Sequence, residues 1–205
     1  MNLPNKITVG RFALALAYLA YFVLADLEHA VDWWKPFLAG WVFGLAVVGD
    51  AFDGYYARKL GLQTDFGRIA DPVVDKVIVS GGLVLLASCS WARAFLPPWM
   101  VVVVIAREFM VNGLRGFIEA RGVAFPARWD GKLKMILQCI AIPCVLLWRS
   151  LDLAAPGATT WLWLADWTTL SVVWLMFVVT MFSGARYVAA AARVLRTQGD
   201  ARSGS

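Results

Sequence analysis

The chain has 205 residues, 60% of them hydrophobic and 16% charged, with a mean hydropathy of +0.67. An ordinary soluble domain is about half apolar, so this balance excludes one and points to several membrane spans. The net charge is +5, and the three cysteines (Cys89, Cys139, Cys144) form an odd set in apolar stretches. That excludes a disulfide framework, and the single His29 excludes Cys/His zinc spacing; the thiols read as small packed hydrophobes.

A bilayer core needs about 20 mostly apolar residues per helix. Taken in chain order, the predicted spans are residues 7–24, 36–56, 69–88, 98–118, 133–148 and 161–182. The fold class expected is therefore all-α, a polytopic membrane helical bundle with six transmembrane helices. The first apolar run is too long for a signal peptide and ends in acidic residues, so it reads as a retained span. Spans two, three and four carry charges and should line a shared interior. Gly40-x-x-x-Gly44 in the second span reads as plain helix contact through small residues. Trp33, Trp34, Trp99, Trp161, Trp163 and Trp167 fall near span ends, as interfacial belts do. Residues 1–185 form the membrane domain. Residues 186–205 form a basic cytoplasmic tail, amphipathic at first, lying at an anionic surface and disordered at its end.

Basic residues assign the sides. Fourteen Lys and Arg fall on one side and three (Lys35, Arg93, Arg149) on the other, with Lys76 and Arg107 inside spans. Positive charge marks the cytoplasmic face, which predicts cytoplasmic termini in an integral cell (inner) membrane protein.

The chemistry concentrates in spans two and three. Asp50, Asp53, Asp71 and Asp75 fall within 26 residues of an otherwise apolar stretch. A bare carboxylate at membrane depth costs roughly 3 kcal/mol on insertion scales. Arg58 and Lys76 cannot neutralise all four, but divalent cations can. Carboxylate oxygens suit hard Mg²⁺, which also binds phosphate oxygens. Spacings of three and four put each pair on one helical face, so two facing helices would present a four-carboxylate cage. Gly54 and Ala57 beside the first pair leave room for a helix or a flat ligand. The active site should then open to the cytoplasm, holding metal and a phosphorylated ligand at a membrane face.

Written out, the stretch is Asp50-x-x-Asp53-Gly54-x-x-Ala57-Arg58, eight residues, then Gly67-x-x-x-Asp71-x-x-x-Asp75. This resembles the signature of the CDP-alcohol phosphotransferase family. The resemblance implies an integral membrane enzyme with six transmembrane helices, usually a homodimer, that moves a substituted phosphate from a CDP-linked donor to an alcohol and releases CMP. By the same resemblance, Asp50, Asp53, Asp71 and Asp75 hold Mg²⁺ or Mn²⁺ on the donor diphosphate. Gly54, Ala57 and Gly67 make room for cytidine, Arg58 supports the site, and Asp75 is the candidate base for the acceptor hydroxyl. Thr64, before Gly67, could bond a phosphate oxygen. The donor-binding set is thus Asp53, Gly54, Ala57, Arg58, Thr64, Gly67 and Asp71.

The likeness extends to Asn2-Leu3-Pro4-Asn5-Lys6-Ile7-Thr8 with Arg11, to Arg107-Glu108-Phe109 through Asn112-Gly113-Leu114-Arg115, and to Gly131-Lys132-Leu133-Lys134. These segments resemble the family's phosphatidylglycerophosphate-forming subgroup. Arg107 and Arg115 are two helical turns apart and can share a face. With Lys132 and Lys134, and with Arg186 from the last span, they would make a cationic pocket for an acceptor bearing a phosphate dianion. Glu108 would orient an Arg, while Arg121 and Arg128 read as surface charge. The reading drawn is transfer of the phosphatidyl group of CDP-diacylglycerol to glycerol 3-phosphate in a lipid bilayer, with no nucleic acid among the partners. Inositol phosphate, serine or phosphatidylglycerol as acceptor is the nearer alternative. A divalent-cation transporter is the alternative of another class, but it would need no Arg58, no small-residue slot and no second cationic pocket.

Overall fold

A computed structural model describes the backbone at residues 3–59, 65–121 and 129–203, and side chains at 10, 12–49, 76–121, 129 and 131–194. Among these residues there are six α-helices and no strands. They are α1 (Leu3–Leu24), α2 (Trp34–Lys59), α3 (Asp65–Ser88), α4 (Pro98–Glu119), α5 (Trp129–Ala154) and α6 (Thr159–Ser203). Each contains one of the six predicted spans. A short 3₁₀ turn (Ser90–Ala92) follows α3, and α4 starts with Pro98 at its first position, where a missing N–H is harmless. The α5–α6 turn uses Gly157 at a positive φ of 98°, open to glycine without steric cost.

Packing neighbours close the helices into a ring. α1 packs on α2 and α3, α2 on α5, α5 on α6, α6 on α4, and α4 on α3, with an α3–α5 contact crossing the middle. Tyr18 (α1), Phe43 (α2), Leu83 (α3), Met100 (α4), Ile142 (α5) and Met176 (α6) are fully buried in this core. The Tyr18 and Phe43 rings meet edge to face at 5.2 Å. Gly40 serves close packing as its motif predicts: a Cβ there would meet Pro143 and Leu146 of α5 at 3.7–4.0 Å. Gly44 has nothing within 4 Å of such a Cβ. It instead lines an apolar groove of about 350 Å³ with Trp41, Leu45, Val48, Pro143 and Leu147.

The bundle is apolar outside as well as inside. Leu45, Val84, Val102, Phe109, Ile136, Val178 and Phe182 all face outward and exposed. Helices hydrophobic all round belong in a large core or in lipid, and continuous exposed apolar surface marks a contact surface. Among the described residues, Gly131–Ala154 and Thr159–Val194 are long and apolar enough to cross a membrane. Phe12–Leu24, Trp34–Gly49 and Lys76–Ser88 form shorter apolar stretches.

The last helix runs beyond its predicted span: the extension read as amphipathic is continuous with α6, which reaches Ser203. The reason is local. Residues 188–196 read VAAAARVLR, strong helix formers with no Gly or Pro, so nothing ends the helix where the apolar run ends.

Candidate functional site

The bundle has two chemically different ends. At one, the connectors are tied by polar and aromatic contacts. Ser90 N–H donates to Glu28 at 2.8 Å, Trp91 Nε1–H to the Leu27 carbonyl at 3.0 Å, and Ser150 Oγ–H to the Trp33 carbonyl at 2.8 Å. Trp148 Nε1–H donates to Asp166, and Arg149 lies over the Trp91 ring and pairs with Asp152 at 2.7 Å. The named interfacial tryptophans lie at or near the starts of α2, α4 and α6 at this end, and all are exposed.

The opposite end holds the cations. A cleft of about 190 Å³ opens between α4, the start of α5 and α6, and Arg107, Glu108, Arg115, Lys132, Lys134 and Tyr187 are among its walls. Arg107 and Arg115 share a face because eight residues make about two turns. Lys132 and Lys134 enter from the first turns of α5. Arg107 is 5% exposed; its Nη1 donates to Glu108 Oε1 at 3.0 Å and its Nη2 to Ser183 Oγ at 2.8 Å. Lys134 bonds the same Glu108 oxygen. Glu108 therefore orients two cations, an Arg as expected and a Lys besides. Arg115 pairs with Glu119 at 2.9 Å near the rim, and Lys132 lies over the Trp129 ring at 5.2 Å. Among the described residues, four cations against one interior carboxylate make a positive cleft fit for an anion with several oxygens.

The structure brings together four of the five cations predicted for the acceptor phosphate. Arg186 is not among the cleft-lining residues; its guanidinium lies over Phe182 at 5.6 Å. The next residue, Tyr187, takes the wall instead. Tyr187, Asn112 and the buried Ser183 behind Arg107 were not singled out from sequence. A signal for two of them existed: Ser183 and Tyr187 interrupt an apolar span at i, i+4 and so share a face. Arg121, assigned to the surface, is exposed and stacks on Phe117 at 4.1 Å.

The acidic signature lies on the last turns of α2 and the first turns of α3. These are the ends away from the tryptophan girdle, hence the same end of the bundle as the cleft. The side chains of Asp50, Asp53, Gly54, Ala57, Arg58, Gly67, Asp71 and Asp75 fall outside the described residues, as does Thr64 altogether. Among the described residues no group of three potential metal ligands occurs.

Residues 1–169 match the family model for CDP-alcohol phosphatidyltransferase. A Bacillus subtilis protein named CDP-diacylglycerol–glycerol-3-phosphate 3-phosphatidyltransferase is 41% identical over 185 residues, 86% of this chain and 93% of the relative. Proteins of the same name from Pectobacterium atrosepticum and Rickettsia bellii are 36% and 33% identical. They cover 72% and 71% of this chain, and 78% and 75% of their own lengths.

Proposed function

The chain belongs to the CDP-alcohol phosphatidyltransferase family, and we propose that it transfers the phosphatidyl group of CDP-diacylglycerol to glycerol 3-phosphate, giving phosphatidylglycerophosphate and CMP. The observation that carries the acceptor is the cleft of Arg107, Arg115, Lys132 and Lys134, at the same end of the bundle as the signature helices. The relatives' names support it. A cation transporter has no use for such a cleft.

In this reading the 1-hydroxyl of glycerol 3-phosphate attacks the donor's β-phosphorus, and the bond from that phosphorus to the CMP oxygen breaks. Asp75 takes the hydroxyl proton. Arg107, Arg115 and the two lysines hold the acceptor phosphate and point its other end toward α2 and α3. Asp50, Asp53, Asp71 and Asp75 form a hard-oxygen donor set suited to Mg²⁺ or Mn²⁺. Such an ion, when bound, neutralises the donor diphosphate. Gly54, Ala57 and Gly67 leave room for cytidine, with Arg58 and Thr64 beside it. The apolar groove of Gly44, Leu45 and Val48 runs along α2 toward Asp50 and suits an acyl chain of the donor. The whole is read as a six-span integral protein of the inner membrane, homodimeric as the family resemblance implies, with the site and both termini cytoplasmic.

The test is CMP release by the purified protein from CDP-diacylglycerol with a panel of acceptors. Glycerol 3-phosphate should be preferred over glycerol, inositol phosphate, serine and phosphatidylglycerol. EDTA should abolish turnover, Mg²⁺ or Mn²⁺ should restore it, and Asp53→Asn should not respond. Preference for glycerol over its phosphate sinks the acceptor reading; full activity in EDTA sinks the metal.

A further inference from the structure

Arg107 approaches the cleft from α4, but what fixes it there is α6. Its Nη2 donates to Ser183 Oγ, whose residue is fully buried. Its stem crosses Gly184 so closely that a Cβ on that residue would lie 2.8 Å from Arg107 Cγ and 3.0 Å from Nε. Real Cβ atoms do not sit at 2.8 Å, so any side chain at 184 would push the arginine off α6. Glycine inside a helix is otherwise a poor choice beside alanine, and the crossing stem gives it a reason. Arg107 Nε is buried and, among the described residues, has no hydrogen-bond partner.

We infer that Ser183 and Gly184 are positioning residues for the acceptor: together they seat the Arg107 guanidinium on α6, with Nη1 and Nη2 engaged by protein and the charge held in the cleft wall. The inference rests on the acceptor reading above and deepens it. Ser183 supplies direction through one hydrogen bond. Gly184 supplies space. Glu108 holds the other end of the fork. The register of α4 against α6 thereby sets how far Arg107 reaches into the cleft, and only a small residue at 184 permits it.

The test is steady-state kinetics of the purified full chain in detergent micelles with CDP-diacylglycerol, for Ser183→Ala, Gly184→Ala, Arg107→Ala and the two double variants. Misplacing one charge-assisted bond to a bound anion costs roughly tenfold in affinity or more. Each α6 single variant should therefore raise the glycerol 3-phosphate KM about tenfold, with the donor KM and the melting temperature nearly unchanged. In the Arg107→Ala background neither substitution should add anything, because residues acting through one another are non-additive. Ser183→Thr, which keeps the hydroxyl, should raise the acceptor KM less than Ser183→Ala. Full additivity of the doubles, or equal loss toward donor and acceptor, overturns the seat and leaves a packing role. Should Gly184→Ala fail to fold, Ser183→Ala decides alone, since it removes a single oxygen. If Arg107→Ala impairs acceptor use and Ser183→Ala does not, the seat fails and the acceptor reading stands. If Arg107→Ala leaves the acceptor KM unchanged, both fall.

Discussion

At the scale of single residues, the buried Arg107 and the exposed Arg121 show how depth separates function from decoration. A guanidinium 5% exposed among apolar helices needs a role, whereas one stacked on Phe117 at the surface needs none. Arg115→Ala should weaken glycerol 3-phosphate use about tenfold or more in kcat/KM, and Arg121→Ala should leave it alone; steady-state assays at saturating donor separate them. Equal effects would mean general surface charge, not a pocket, attracts the acceptor. Glu108 tests the interior electrostatics. One of its oxygens serves both Arg107 and Lys134. Glu108→Gln keeps the shape and removes the charge, leaving two largely buried cations close together. Removing one partner of a buried ion pair costs about 3 kcal/mol or more. Thermal unfolding in detergent should show that loss, with poorer acceptor use alongside it, and an unshifted melting temperature would deny the bridge its structural part.

Among elements, the end of the bundle far from the cleft is held by connectors, and there a pH effect is expected. Hydrogen bonds from Ser90, chiefly from its hydroxyl and with its backbone N–H at 2.8 Å, outweigh burial and hold the Glu28 carboxyl below its ordinary range. The folded-state value is thus lower than the unfolded one. The tie contributes fully above the ordinary glutamate value, about 4.3, and is lost as pH falls through the lowered folded value. Glu28→Gln should melt lower than wild type at about pH 7, and the gap should narrow as the pH falls below the ordinary glutamate value. A gap that stays constant with pH would show that charge on Glu28 is irrelevant. This tie lay outside sequence reasoning, because Glu28 and Ser90 are 62 residues apart in two unremarkable connectors. The helices themselves were legible. Runs of about 20 apolar residues broken by Pro, Gly and polar clusters leave few other choices. The true length of α6 was not legible from hydropathy, which ends where the apolar run ends while the alanine-rich helix continues.

For the whole molecule, the sequence reveals which residues carry chemistry better than it reveals their neighbours. Arg107, Arg115, Lys132 and Lys134 could be grouped beforehand because they fall on two short basic segments joined by one connector. Ser183 and Tyr187 share a face by their spacing, but that this face meets α4 and α5 follows from the ring order, which depends on long-range packing. What that ring does establish is polarity. Glu28, Trp33, Trp91, Trp148 and Asp166 gather at one end, and the cationic cleft lies at the other. The basic-residue imbalance of fourteen to three falls the same way, with the excess at the cleft end. If the chain spans a bilayer, positive charge places the cleft in the cytoplasm and the tryptophan girdle outside. Single cysteines in a background lacking Cys89, Cys139 and Cys144 test this. Ala30 is buried, so Val31, 80% exposed, is the better outer site, together with the exposed Ala155. Gln63 and Ala124, in the α2–α3 and α4–α5 connectors, serve for the inner face. A membrane-impermeant thiol reagent should label Val31→Cys and Ala155→Cys in intact cells, and Gln63→Cys and Ala124→Cys only after the membrane is opened. The reverse pattern would put the cleft outside, away from cytoplasmic glycerol 3-phosphate, and would end the acceptor assignment along with the topology.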